Sequence, residues 1–335
     1  MTKVAITTLV PIEVLFAAGR QPVDMNNVFI GDDRWEEFMA AAEQAGFSQF
    51  SCSWLKGIYG AMLADSEMRT VVGVVVGDCS DTHVLLEYLE RQAREVIPFA
   101  YMREHLPAEM ERFMARFDVG WEQVRAAHER CQAIRRQVWR MDELTWRENA
   151  FSGWDNHLYQ VSCSDMGGDI DRFEAEVAQL QPAPEPINPE GLRLGVLGVP
   201  SMFASDLYRF LEGELGVKVV FNETQRQFSL PFDCDLVEQY TRFTYPYGTA
   251  ARIADIAAEV ERRSIDGLIH YVQAFCFREP TDALLRQDVP APILSLTGNR
   301  ERRLDVHAQT RLEAFVDMLA RSRARGRVRP GAGEA

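Results

Sequence analysis

The chain has 335 residues, 47% apolar and 26% charged, a composition with ample material for a core and a length suited to two domains or one large one. Its net charge of −14 at pH 7 is the opposite of the basic footprint of a nucleic-acid binder. No apolar run reaches the roughly 18 residues that cross a bilayer, and the N-terminus lacks the apolar core of a secretion signal, so a cytoplasmic protein with no membrane partner is expected. In that reducing setting the six cysteines read as buried thiols, metal ligands or catalytic groups rather than disulfides. Lys3, Lys56 and Lys218 are the only lysines among 36 basic residues, an arginine bias that a GC-rich genome explains.

In chain order, KVAITT reads as a strand, and Pro11 opens an amphipathic helix that stops at Gly19. A short extended piece around Pro22–Asp24 precedes a helix from about Asp33 to Ala45. The segment TVVGVVVGD, residues 70–78, is too continuously apolar for an exposed edge and predicts a parallel strand buried on both faces. A helix from about Thr82 to Gln92 and a strand at VIPFAY follow. Residues 107–147 carry two long helical patterns, the start of a helical insertion extending to 180. The segment 181–191, QPAPEPINPEG, has four prolines in eleven residues and reads as a linker.

Alternation then restarts: strand RLGVLGV, helix SDLYRFLEGEL, strand VKVVF, helix ARIADIAAEVERRS and strand DGLIHYVQ. Helix TDALLRQ, strand APILSLTG and a final helix from Leu304 complete it. The expected fold is therefore α/β, with two doubly wound (Rossmann- or flavodoxin-like) parallel-sheet domains and a helical insertion. The first domain spans 1–180 with the helical segment 107–180, and the second spans 192–322. The arginine-rich end, 323–335, is expected to be a disordered basic tail.

In open α/β sheets ligands bind beyond the carboxyl ends of the strands. Cys79 follows the most apolar strand directly, Cys276 follows the equivalent strand of the second half, and Cys52 sits at a loop-to-helix junction. Cys131 lies within a long helix, Cys163 before the linker and Cys234 in the loop PFDCD. Three thiolates converging on one cleft would suit an iron–sulfur cluster, and the alternative is three buried thiols. There is no CxxC, so a zinc ribbon or a ferredoxin-type run is excluded on spacing.

Several long segments carry a resemblance: TTLVPIEVLFAAG with PVDMNNVFI, CSWLKGIYG, VVGVVVGDCSDTHVLLEYLE, VVFNETQRQFS, DLVEQYTRFTYPYGTAARI and IDGLIHYVQAFCFR. By these the sequence resembles the 2-hydroxyacyl-CoA dehydratase family, which includes benzoyl-CoA reductase subunits. The resemblance implies a 4Fe–4S cluster on Cys52, Cys79 and Cys276, with one iron site open. It also implies an acyl-CoA substrate, a related or identical partner subunit, and a separate ATP-hydrolysing iron–sulfur activator. In such enzymes one low-potential electron enters the thioester carbonyl, and the resulting ketyl radical expels hydroxide. An iron–sulfur electron-transfer or reductase component acting on a non-CoA small molecule is the alternative, including a double-cubane form. The chain has no GxxxxGK[ST] loop and so supplies no P-loop ATPase of its own. It departs from the family at Thr297 and the arginine-rich run that follows.

Three further residues are site candidates. His83, four residues past Cys79, is either a general acid–base or a helix-terminus imidazole satisfied by backbone. Lys56, four residues past Cys52, is a cofactor-binding candidate that would tune the cluster or meet a CoA phosphate, or else a surface lysine. Glu13, in the first strand-to-helix turn, is a catalytic candidate or a carboxylate stabilised by the helix dipole. His270, Tyr271 and Gln273 precede Cys276 on a strand and are at most supporting groups. Tyr245 and Tyr247 read as core or interface.

Overall fold

The computed structural model describes residues 2–326. The chain opens with strand β1 (Thr2–Ile6), helix α1 (Ile12–Ala17) and strand β2 (Arg20–Asp24). Helices α2 (Met25–Gly31), α3 (Trp35–Gln44) and α4 (Ser53–Ala64) lead to strand β3 (Thr70–Val76), helix α5 (Thr82–Arg91) and strand β4 (Glu95–Ala100). These strands pair in parallel in the order β2-β1-β3-β4. The inner strands β1 and β3 bury residues of both faces, including Ala5, Ile6, Val71 and Val72, which is why β3 reads as a continuous apolar run. The outer strands β2 and β4 each carry a proline, Pro22 and Pro98, tolerated because an edge strand has one side free of ladder hydrogen bonds.

The helical insertion follows as α6 (Leu106–Arg116), α7 (Trp121–Arg147), α8 (Gly153–Val161) and α9 (Ile170–Ala178). The second half comprises β5 (Arg193–Leu197), α10 (Ala204–Tyr208), β6 (Lys218–Asn222), α11 (Glu223–Phe228), α12 (Leu236–Arg242) and α13 (Thr249–Arg262). It ends with β7 (Gly267–Gln273), α14 (Thr281–Asp288), β8 (Ile293–Gly298) and α15 (Val306–Ala324). Its strands are also parallel, in the order β6-β5-β7-β8. Both sheets thus repeat one flavodoxin-type order, and the doubly wound α/β fold read from the sequence is the observed one.

The two halves interlock. Helix α7 packs on α1 of the first half, and α8 packs on β6 and α11 of the second. Arg263, fully buried, clamps α7 to α13: its Nη atoms donate to both oxygens of Asp142 at 2.8 and 2.6 Å, and Nε donates to Glu259 at 2.5 Å. In return, Leu230, Tyr240 and Phe243 of the second half join the first half's core beside Val10 and Val138. The proline-rich stretch 181–191 has no helix or strand, yet the Ala183 and Ile187 amides donate to the Ala150 and Asn149 carbonyls. The helix expected from SDLYRFLEGEL begins at Ala204 and widens into a π-turn over Arg209–Glu214. Helix α15 continues to Ala324, so the first residues assigned to the basic tail are helical, while 327–335 lie outside the described residues.

Candidate active site

In a sheet of this order the crevice opens where the winding reverses, between the first and third strands. The β1/β3 crevice of one sheet and the β5/β7 crevice of the other open onto a single cavity of about 490 Å³. Thr7 and Thr8 reach it from beyond β1, Asp78 and Cys79 from beyond β3, and Val199 and Cys276 from beyond β5 and β7. Cys52, at the N-terminus of α4, completes the thiol set. Cys131 and Cys163 are buried in the first core instead, and Cys234 is outside the cavity.

The neighbours of the cavity thiols make hydrogen bonds that hold these segments together, several of them across the boundary between the halves. Ser53, next to Cys52, donates through its amide to Asn299 Oδ1 at 3.1 Å and through its hydroxyl to the Asn299 carbonyl at 2.5 Å. Gln273, three residues before Cys276, donates to the same Asn299 Oδ1 at 2.9 Å. Arg278 Nη2 donates to the carbonyls of Gly77 and Tyr245 at 3.1 and 2.9 Å, tying the Cys276 loop to the Cys79 loop. Gly77 has φ +98°, and a Cβ there would lie 2.7 Å from Pro246, so only glycine admits this approach. Phe275 holds φ +62° immediately before Cys276, a conformation non-glycine residues rarely adopt, and here it sits beside the cavity.

Burial pushes the Cys52 thiol up to about 11, with Cys276 adding to the rise and the Leu55 and Trp54 amides opposing it. Burial and the neighbouring Asp78 raise Cys79 to about 12, against the Asp81 amide. Burial also raises Cys276, against the Arg278 amide and guanidinium. Nearby backbone amides thus oppose the rise at each cavity thiol: Leu55 and Trp54 at Cys52, Asp81 at Cys79 and Arg278 at Cys276. Burial raises the Cys131 and Cys163 thiols as well. Among the described residues, no three His, Cys, Asp or Glu side chains surround a common point closely enough to hold a single metal ion.

The matching family model is that of 2-hydroxyglutaryl-CoA dehydratase, D-component, over residues 7–319. The chain belongs to this family. No curated protein matches it. As a dehydratase-family component it is of the 2-hydroxyacyl-CoA dehydratase type, an enzymatic, lyase-type role. No helix among the described residues is long and apolar enough to cross a membrane.

The other candidates from the sequence stand apart from this cavity. Thr82 and Leu85 of α5 turn inward, which leaves His83 exposed on the opposite face with Nε2 2.9 Å from the Val75 carbonyl. It does not line the cavity. Lys56 is buried but points away from the wall that Trp54, Leu55 and Ile58 present, and Nζ donates to Glu43 at 2.8 Å and to the Gln49 carbonyl at 3.3 Å. Glu13 is buried against α7, with Oε1 2.5 Å from Arg135 Nη1 and Oε2 3.0 Å from the Tyr240 hydroxyl. Burial would raise its carboxyl, but Arg135 and His128, with a backbone hydrogen bond, together outweigh that and hold it at about 2. Glu13 thus pins α1 to α7. His270, oriented by Asp282 at 2.6 Å and facing Arg252 at 3.4 Å, belongs to a buried network behind Cys276.

The cavity also gathers residues the sequence reading passed over. Asp78 is raised to about 6 by burial, against Arg278 and the Tyr245 hydroxyl, which donates to it at 3.2 Å. Tyr245, read as core or interface, packs against the first core and also lines the cavity. Asp24 closes β2, and its amide donates to Asp165 Oδ2 at 2.8 Å. Arg278 and Arg302 line the cavity with their Nη donors on backbone carbonyls, and among the described residues neither forms an ion pair. Strand-end position was the available signal for Asp24 and Asp78. The arginine run at 300–303 was the signal for Arg302.

Proposed function

We propose that this cavity is the active site of a 2-hydroxyacyl-CoA dehydratase-like component in which Cys52, Cys79 and Cys276 hold a 4Fe–4S cluster. The observation that carries the reading is the sorting of the six cysteines: Cys52, Cys79 and Cys276 line one cavity beyond the strand ends, and Cys131, Cys163 and Cys234 do not. A single ion needs its ligands to meet at one point, whereas a cubane offers each thiolate a separate iron, so its ligands ring a volume. The donor set and the 490 Å³ space fit the second arrangement.

When bound, the cluster would supply a single low-potential electron and a Lewis-acidic iron. The substrate would gain that electron at its thioester carbonyl, lose hydroxide from C2 and a proton from C3, and return the electron, so the net change is loss of water. The electron would come from a separate ATP-hydrolysing iron–sulfur activator, and a related or identical subunit would complete the enzyme. Arg278 and Arg302 provide the local positive charge that an anionic thioester requires on a chain of net charge −14. Asp78, at the cavity wall with the Tyr245 hydroxyl donating to one oxygen, is placed to take and return a proton. Trp154, Leu158 and Val161 form an apolar wall that excludes water from the acyl part.

The test is EPR spectroscopy of anaerobically isolated, reduced protein before and after addition of 2-hydroxyhexanoyl-CoA. The expected result is a cluster signal that shifts with the acyl-CoA. A cluster signal indifferent to acyl-CoA would make the chain an electron carrier, and no cluster signal would refute the metal reading.

A further inference from the structure

Helix α8 presents Trp154, His157, Leu158 and Val161 to the cavity at helical spacing, and His157 is the one polar side chain of that face. Its ring is held by a chain of hydrogen bonds from the second half whose direction is set. Asn222 Nδ2 donates to the Gly153 carbonyl at 3.2 Å, which turns its Oδ1 toward the Tyr208 hydroxyl. That hydroxyl donates to Oδ1 at 2.6 Å, so its oxygen is left to accept from His157 Nδ1, 2.9 Å away. With the proton on Nδ1, Nε2 carries a lone pair. Trp154 stacks on the ring at 5.2 Å and Tyr208 packs edge-on at 5.3 Å, which fixes its plane.

We propose that His157 Nε2 is the acceptor that recognises a hydroxyl group on the acyl part of the ligand, making it a specificity-determining residue. This inference rests on the acyl-CoA reading above. Asp24 Oδ1, Asp78 Oδ1 and Gln273 Oε1 already accept from Asn26, Tyr245 and Tyr271, and none of these acceptors stands on the apolar wall of α8. Nε2 has no protein partner among the described residues. Burial holds the imidazole's pKa at about 3, so the ring accepts a hydrogen bond without removing the proton. An apolar wall bearing one oriented acceptor discriminates by the presence of a donor, because a ligand lacking it leaves Nε2 desolvated and unpaired.

The experiment is isothermal titration calorimetry of the full, anaerobically purified chain with 2-hydroxyhexanoyl-CoA and with hexanoyl-CoA. Wild type should bind the hydroxy ligand about 10-fold or more tightly than its deoxy counterpart. His157→Phe should abolish that preference by weakening only the hydroxy ligand, while His157→Gln, which keeps an acceptor, retains part of it. Tyr208→Phe leaves the imidazole in place but releases its tautomer, and should lower the preference to a value between those of wild type and His157→Phe. A merely structural His157 would leave the preference unchanged in every variant that binds. Survival of the full preference in His157→Phe or in Tyr208→Phe overturns the proposal. Equal binding of both ligands by wild type overturns it while leaving the acyl-CoA reading intact, and binding of neither overturns both.

Discussion

Two regions of this molecule are built from the same residue types and differ in electrostatics. In the cavity, Asp78, Tyr245 and Arg278 surround Cys79 and Cys276; between α1 and α7, Glu13, Tyr240 and Arg135 surround Cys131. Arg135 stands 2.5 Å from Glu13 and His128 3.7 Å from it, and together they hold the carboxyl at about 2. Arg278 spends its Nη2 donor on two backbone carbonyls, and Asp78 is raised to about 6. A closed charge pair makes an anchor. The open arrangement, facing 490 Å³ of space, leaves an acid near neutrality and a cation free for a ligand.

The contrast is broken most severely at the cysteines. Cys52→Ala, Cys79→Ala or Cys276→Ala should each reduce iron from about four per chain to near zero, while Cys131→Ala keeps it. Loss of iron in Cys131→Ala would show that the inner centre also ligates metal. Next in size is Glu13→Gln, which leaves Arg135 buried without its counter-charge and should cost about 3–5 kcal/mol in chemical denaturation at pH 7. Because Glu13 has a folded pKa of about 2 against an ordinary 4.5, its stabilisation is complete above about 4.5 and declines as pH falls toward 2. The gap between wild type and Glu13→Gln should therefore narrow across that window; a gap independent of pH would contradict the pairing.

Gly77→Ala combines a positive φ with a contact against Pro246 and should cost about 1–3 kcal/mol, lowering the melting temperature and the iron retained through the displaced Cys79 loop. His83→Ala is the smallest change: its imidazole is exposed and outside the cavity, so stability should move by no more than about 0.5 kcal/mol and iron content should not move. A large drop in iron there would return His83 to the site.

The sheets were legible because β3 reads as an unbroken apolar run buried on both faces, and β1, β5 and β7 carry apolar stretches that alternate with helical patterns. Helices α11 and α12 were not, since ETQRQF and LVEQYTR are short, polar and shaped by packing against the first half's core. Among site residues, Cys79 and Cys276 were visible because strand-end position alone carries them to the crevice. Glu13, Lys56 and His83 were each placed in a suitable turn, but sequence position does not tell which face of a short helix meets the cavity. His157 carried no signal at all, because its role depends on α8 docking against β6 and on hydrogen bonds from Tyr208 and Asn222, 51 residues away and beyond.

The central claim is that three of six cysteines hold one cluster in the cavity between the halves. Iron and acid-labile sulfide measured per wild-type chain after anaerobic purification test it most directly. About four of each is the predicted result. A value near eight would require thiols beyond Cys52, Cys79 and Cys276, and a value near zero would contradict the account.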